Sequence, residues 1–307
     1  MVLRKIVPPA AAAVTAALTL AACANGTPTG QAGAASDGKP VLQQSLQGFK
    51  DGNYTFTRTQ EGGTVSGAVH LPEGSLMEQP YGPTVLRSGK EFYMRYRIHA
   101  DGYERYGQLY EEYAGKATAA QAAEIKAAKK VMAQLDGKHW VHADEKRLRA
   151  AAAEDDLSGM ESLPPVPSAG QPDVTGVSAL VGAVVSAEST GTSVTGTLDG
   201  TKVDPELGLF ANDPYYFYGP RASAMPFEAA LDGQGRLTRI TVHVPGALQA
   251  PASAAPSAIP SDAPTEAPGA PLVINVTGYG STAVPAVPKD AAQLDPAAYG
   301  LLTNDVD

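Results

Sequence analysis

His139 and His142 are the only closely spaced pair among the five histidines, and a shared metal ion would need both rings on one side of the backbone. In a strand a spacing of three sends two side chains to opposite faces, so joint ligation is not expected and no metal is assigned. Gly176-Val177-Ser178-Ala179-Leu180 comes nearest to a nucleophile elbow, but it lacks the second glycine and lies in a valine-rich helical pattern instead of a strand-to-helix turn. Gly196-Thr197-Leu198-Asp199-Gly200-Thr201-Lys202 has the residue types of a phosphate loop with the wrong spacing and with Lys after Thr, so its composition makes it a β-turn. Glu111/Glu112 and Asp155/Asp156 are adjacent acids on helical stretches; neighbours on a helix do not converge on one point, and they read as solvated surface. No nucleophile, base and orienting group can be placed together. The chain is therefore read as a non-enzyme, with no catalytic residue and no cofactor.

The remaining reactive group is Cys23, the single cysteine of the 307 residues. One thiol cannot build a disulfide framework, a zinc ribbon or an iron–sulfur centre. Arg4 and Lys5 precede an Ala/Val/Leu-rich run from Ala10 to Ala22, the layout of a secretory signal peptide. That run is too short to span ~30 Å of hydrocarbon, and no later stretch reaches the ~20 apolar residues a spanning helix needs. It ends in Leu20-Ala21-Ala22-Cys23, which resembles a bacterial lipobox: a branched apolar residue, two small residues that fit the peptidase, and a cysteine whose thiol receives a diacylglycerol. On this reading residues 1–22 are a lipoprotein signal peptide. Cys23, with two acyl chains or with three if its amine is also acylated, then tethers the mature chain to the extracytoplasmic face of the cell membrane. Ordinary cleavage at an A-x-A-like site, with Cys23 a bystander, is the alternative.

Lys and Arg number 23 against 32 Asp and Glu, a net charge of −9, whereas a nucleic-acid binder presents a basic footprint, so nucleic acid is not an expected partner. Residues 24–40 are mostly Gly, Ala, Ser, Thr and Pro without apolar periodicity; with Cys23 they read as a flexible tether, and the fold is expected from Val41 to about residue 300 as one domain. A second low-complexity stretch, residues 245–271, carries seven prolines and separates the strand patterns of residues 236–244 and 272–279. It reads as an excursion within the domain.

Elsewhere the pattern has period two. Phe92, Met94, Tyr96 and Ile98 alternate with Tyr93, Arg95 and Arg97, and Tyr54 and Phe56 alternate with Thr55, Thr57 and Thr59. Phe227, Ala229 and Leu231 lead through Asp232-Gly233-Gln234-Gly235 into Ile240, Val242 and Val244, a hairpin signal; Ser88-Gly89-Lys90 marks another turn. Strands with one apolar face belong to antiparallel sheets wet on one side. Three helical patterns can cover the apolar face: residues 41–49, residues 116–135, and residues 174–188 with Val174, Val177, Leu180, Val181, Val184 and Val185 as its stripe. The expected class is α+β, a curved antiparallel half-barrel sheet wrapped around a few helices. Tyr103, Tyr106, Tyr110 and Tyr113 recur at helical spacing and suit either a ligand wall or an aromatic stripe against the sheet; Tyr215-Tyr216-Phe217-Tyr218, flanked by prolines, reads as a loop.

Several stretches resemble the actinobacterial LolA-like, LppX–LprG-like lipoproteins: the lipobox, VLQQSLQGFKDGNYTFT, GKHWVHAD around Trp140, STGTSVTGTLDGTKV, and PFEAALDGQGRLTRITVHV followed by LVINVTGYGSTAVPAVPKDA. The resemblance covers most of residues 41–295 as loose patterns. It implies a LolA-like half-barrel with an apolar cavity between sheet and helices that in some members takes lipids or lipoglycans. The Pro/Ala insertion at 245–271 and the run 203–225 depart from the family, and either could reshape the cavity mouth. Small side chains on the helices point the same way, toward a cavity walled by Phe92, Met94, Tyr96, Ile98, Ile240, Val242, Ile274 and Val276 from the sheet and Val177, Leu180 and Val184 from the helix. The function expected is binding or carriage of an apolar ligand, a lipid. The alternative is an envelope interaction or signalling-accessory lipoprotein with a filled core, and neither reading identifies a protein partner. Replacing Cys23 with Ser is expected to move the protein from the membrane fraction to the soluble fraction without unfolding it; a Ser variant that still pellets with membranes after a high-salt wash would refute the anchor.

Overall fold

The computed structural model describes residues 36–98, 118–153, 163–248 and 266–302. The signal peptide, Cys23, the tyrosine series 103–113, the acid pairs 111/112 and 155/156 and the middle of the Pro/Ala insertion lie outside them. Thirteen strands among the described residues form one open sheet, and a few helices complete an α+β architecture. The first half of the chain supplies an antiparallel meander: β2 (Asn53–Gln60), β3 (Gly63–His70), β4 (Gly74–Glu78), β5 (Thr84–Ser88), β6 (Glu91–Arg95) and the two-residue β7 (Val141–His142). The second half supplies β8 (Val184–Thr190), β9 (Ser193–Leu198), β10 (Met225–Leu231), β11 (Leu237–Val242) and β12 (Leu272–Thr277), also antiparallel neighbours in order. The halves fuse where β12 pairs with β2, Val276 opposite Phe56 and Ile274 opposite Arg58. Two-residue strands close both edges: β1 (Ser36–Asp37) on β8, and β13 (Ala292–Gln293) on β7, the sheet's one parallel pair. Edges this short offer little template for pairing with another chain.

The alternation that marked the strands sets their burial. Along β10 every second residue is buried, from Met225 to Leu231, and β12 buries Leu272, Ile274 and Val276. Asp232 makes the β10–β11 turn by accepting from the backbone N–H groups of Gln234 and Arg236, both at 2.9 Å, and from Arg236 Nε at 2.7 Å. Strand β6 ends at Arg95, but the alternation continues past it. Gly137 N–H donates to the Tyr96 carbonyl and Ile98 N–H to the Leu135 carbonyl, so both side chains remain on the buried side.

Three helical segments cover the inner face. The first is α1 (Gly38–Ser45), continued by a 3-10 turn to Phe49; Asp37 caps it by accepting from Lys39 N–H at 3.0 Å. Ser36 and Asp37 thus already belong to the fold, ahead of the expected boundary at Val41, because Asp37 is an N-cap and Ser36 pairs with Ser189. Residues 36–40, read above as part of the tether, belong instead to β1 and the start of α1. Helix α2 (Ala119–Gln134) agrees with expectation and buries Val131, with Leu135 following it. Helix α3 (Glu145–Ala153) lies near the β7 edge, where Arg87 reaches Glu145 at 2.7 Å.

The valine-rich helix is shorter than its pattern. Helix α4 (Val177–Gly182) stops at Ala183, whose N–H turns back to the Ala179, Leu180 and Val181 carbonyls, and the next residues, Val184 onward, are strand β8. β-Branched side chains lose little in a strand, and pairing with β9 gives Val184–Thr190 ladder bonds in place of those a longer helix would have held. Val184 is therefore half-buried on a strand and Val185 is exposed, not part of a helical stripe. GKHWVHAD contributes only the two residues of β7, and the segment read as a β-turn at 196–202 is the end of β9 followed by a 3-10 turn capped by Asp199.

Tyr54, fully buried, joins the sheet to the segment that leads into α4: its hydroxyl donates to the Pro172 carbonyl at 2.7 Å and accepts from Val174 N–H at 3.2 Å. Burial, reinforced by the Asp173 carboxylate, pushes its phenol well above the ordinary range. Phe49 meets the Tyr54 ring edge-on at 5.0 Å and Tyr279 at 5.9 Å. Tyr54→Phe keeps the ring and strips both hydrogen bonds, so a destabilisation of about 1–3 kcal/mol is expected in urea unfolding; no loss would show that water replaces the hydroxyl.

Candidate functional site

The inner face of β2 runs Tyr54, Phe56, Arg58, Gln60, from deep core to the end of the strand. Its first two side chains are buried aromatics and its last two are polar. Arg58 sits across from Ile274 on β12 and Val65 on β3, both buried and apolar. Over this end of the strand lies the segment 203–211. Asp204 caps a 3-10 turn (Pro205–Leu207) by accepting from Glu206 N–H at 3.0 Å, and Gly208 reverses the chain at φ +58°. The turn aims two carbonyls at β2: Leu207 accepts from Arg58 Nη1 at 3.3 Å and Gly208 from Gln60 Nε2 at 2.9 Å. Leu209 then drops into the core against Gly176, where a Cβ would lie 2.7 Å from its Cδ1.

Beside it, Pro214–Tyr218 is a one-turn helix, α5, and not the loop its flanking prolines suggested. Asp213 caps it by accepting from Tyr216 N–H at 2.9 Å, and Pro214 occupies the first turn, where its missing N–H costs nothing. Tyr215 and Phe217 are exposed, while burial raises the pKa of the half-buried Tyr218 phenol. The roots of the Pro/Ala insertion fasten here. Leu248 N–H donates to the Phe217 carbonyl at 2.7 Å, Arg221 Nη2 to the Gly246 carbonyl at 3.0 Å, and Glu266 N–H to the Ala247 carbonyl at 2.9 Å. Together these pieces enclose a cleft of about 610 Å³ between the β2–β3 turn (Gln60, Glu61), Leu209 and Phe210, Phe217 and Tyr218, and both insertion roots. The two segments that departed from the expected family pattern thus meet at one opening, at the end of the inner face.

The residues expected to wall a cavity lie deeper. Phe92, Met94, Tyr96, Ile98, Ile240, Val242, Ile274, Val276, Val177 and Leu180 all belong to one contiguous buried cluster. Met94, Ile240, Val242, Ile274, Val276, Val177 and Leu180 retain 0% accessible surface, which side chains bordering a water-sized void would not. In this conformation they are core. Val184 is set apart from them on β8.

The other sequence candidates are placed separately. His139 Nδ1 pairs with Asp136 Oδ2 at 2.9 Å, whereas His142 Nδ1 meets Gln293 Oε1 at 2.9 Å and its Nε2 meets Glu91. Ser178 lies in the first turn of α4, its N–H donating to Asp173 at 2.7 Å. What the sequence reading passed over is Arg58 with Gln60. The signal was present: continuing the even-numbered face of Tyr54 and Phe56 lands on both. No protein-family model matches the chain, and no curated protein is similar to it. Because the inner face is filled, Ile240→Ala is expected to cost the full ~2–5 kcal/mol of a core truncation in chemical denaturation; a loss below ~1 kcal/mol would reveal an open wall instead.

Proposed function

We propose that the chain is a LolA-like, half-barrel lipoprotein tethered through Cys23 to the extracytoplasmic face of the cell membrane, and that it binds an apolar ligand, a lipid, admitted between sheet and helices. The observation that carries this reading is the cleft at the end of the inner face, which brings the exposed ring of Phe217 together with Leu209, Phe210 and Leu272 beside a continuous apolar core. A cleft walled about equally by apolar and polar groups, opening where two irregular segments meet, suits an amphiphile with hydrocarbon to bury. Leu20-Ala21-Ala22-Cys23 supports the membrane location, where such ligands are found.

A second reading has its own support. The complete burial of Met94, Ile240 and Ile274 favours a filled-core interaction lipoprotein, in which the exposed aromatics on α5 meet a protein instead. Native mass spectrometry of the protein extracted from its own membrane separates the two. The carrier reading expects an adduct in the mass range of a membrane lipid that is recovered by organic extraction. A homogeneous ligand-free mass, with no lipid in the extract, would leave the interaction reading.

A further inference from the structure

Among the described residues, Arg58 is the arginine whose buried Nε has neither a counter-charge nor a hydrogen-bond partner. It lies on the inner face of β2 between Val65 and Ile274; no carboxylate pairs with it, and its Nε is buried without any hydrogen-bond partner. Its one side-chain hydrogen bond among the described residues is the long Nη1 bond to the Leu207 carbonyl. Two other half-buried guanidinium groups do better: Arg87 and Arg236 each hold a carboxylate at 2.7 Å. Removing a guanidinium from water without a partner is costly, and burial draws the Arg58 pKa below its ordinary value. Gln60, two residues on along the same face and roughly 7 Å away, shows the complementary deficit. Because its Nε2 must face the Gly208 carbonyl, its Oε1 is fixed the other way, buried with no donor. Gln60 lines the cleft, and Arg58 stands one step deeper along the same face of β2, behind the cleft wall.

We propose that Arg58 and Gln60 form a polar recognition site at the mouth of the inner face, taking an acidic oxyanion, phosphate or carboxylate, on Arg58 and a neighbouring hydroxyl on Gln60, both carried by an amphiphile whose apolar part occupies the cleft. This rests on the lipid-binding reading above and narrows it to an acidic class of ligand. A guanidinium offers several N–H donors in a planar fork, and an oxyanion is the group that can satisfy Nε and an Nη together. The apolar surroundings that make the free cation costly make its bond to an anion stronger. Glu61 and Glu266 on the outer cleft wall would repel a free anion arriving from solvent, which favours an oxyanion brought in on hydrocarbon.

The test uses the full purified chain with phosphatidylglycerol, with diacylglycerol of the same acyl chains, and with soluble glycerol phosphate. Wild type is expected to prefer phosphatidylglycerol to diacylglycerol. Arg58→Gln and Arg58→Met are each expected to lose about ten- to a hundred-fold affinity for phosphatidylglycerol while holding diacylglycerol within about twofold. Arg239→Gln, which removes an exposed charge of the same sign from the outer face, should change neither. Without ligand, Arg58→Met is expected to melt no lower than wild type, since it replaces a half-buried charge that has no counter-charge with an apolar chain. Unchanged phosphatidylglycerol affinity in both variants overturns the proposal. So does an equal loss for both lipids with a lowered melting temperature, which would make Arg58 a clamp on the 203–211 segment. Glycerol phosphate binding as tightly as phosphatidylglycerol, in an Arg58-dependent way, would transfer the site to a soluble phosphate and overturn the amphiphile. Diacylglycerol binding without any preference for the acidic lipid refutes this inference alone, whereas failure of both lipids to bind wild type refutes the carrier reading beneath it.

Discussion

The antiparallel pairing of β12 with β2 is the contact on which the rest of the molecule depends. It joins residues more than 200 positions apart, Val276 to Phe56 and Ile274 to Arg58, and turns two separate meanders into one sheet. Each meander alone presents an apolar face too narrow to bury; joined, they offer α1, α2 and α4 a continuous surface. Thr55 and Thr277 bond side chain to side chain at 2.8 Å on the wet face of the same seam, while Val276 and Phe56 fill the dry face. A one-residue slip would exchange these faces, so the seam also fixes which β2 side chains look inward. Arg58 and Gln60 are on the inner face for that reason alone.

The seam also explains the place of the insertion. Residues 245–271 connect β11 to β12, and β12 must begin at Leu272 beside the end of β2. The roots of any connection entering there must pass the β2–β3 turn, and both do so on their way to Phe217 and Ala247. The cleft is thus built by topology from segments that carry no regular pattern of their own.

Where period-two alternation was sustained, the sequence was a good guide. The faces of residues 92–98, 227–231 and 272–276 could all be read, since a strand with one wet side must alternate. The valine run was ambiguous. Val177, Leu180 and Val181 fit a helix and Val184 onward fits a strand equally well, and the choice was made by β9, a partner that local pattern does not reveal. The short α5 was hidden by its prolines, although Asp213-Pro214 is itself a cap followed by a favoured first-turn residue. Filled interior and open cleft could not be separated from composition. Small helical side chains leave a void only if the helices stand off, and here they close on the sheet until Val177 and Leu180 lose all exposure. Arg58 was legible as a position and not as an anomaly, because its lack of a partner is a property of the whole inner face.

A closed core and a ligand-admitting one differ in where the structure opens most cheaply. The interior strands β8 to β12 and β2 to β6 are held by continuous backbone ladders, and opening any of them breaks several bonds together with buried apolar contacts. The rim is held otherwise: the insertion roots are fastened by isolated bonds at Phe217, Gly246 and Ala247, and the 203–211 segment by two side chains from β2 together with the buried Val203 and Leu209. Local opening follows the weakest contiguous set of contacts, and an opening that began at the rim would have to lift Leu209 from the core before it reached the Arg58 level and then Phe56. A ligand that satisfies the polar groups at that level and buries its chain below offsets the contacts it displaces, and the population of opened molecules rises only as far as its preference for that state allows. On the carrier reading proposed above, this polar step on the inner face is what would set both the depth of entry and the chemistry of what enters.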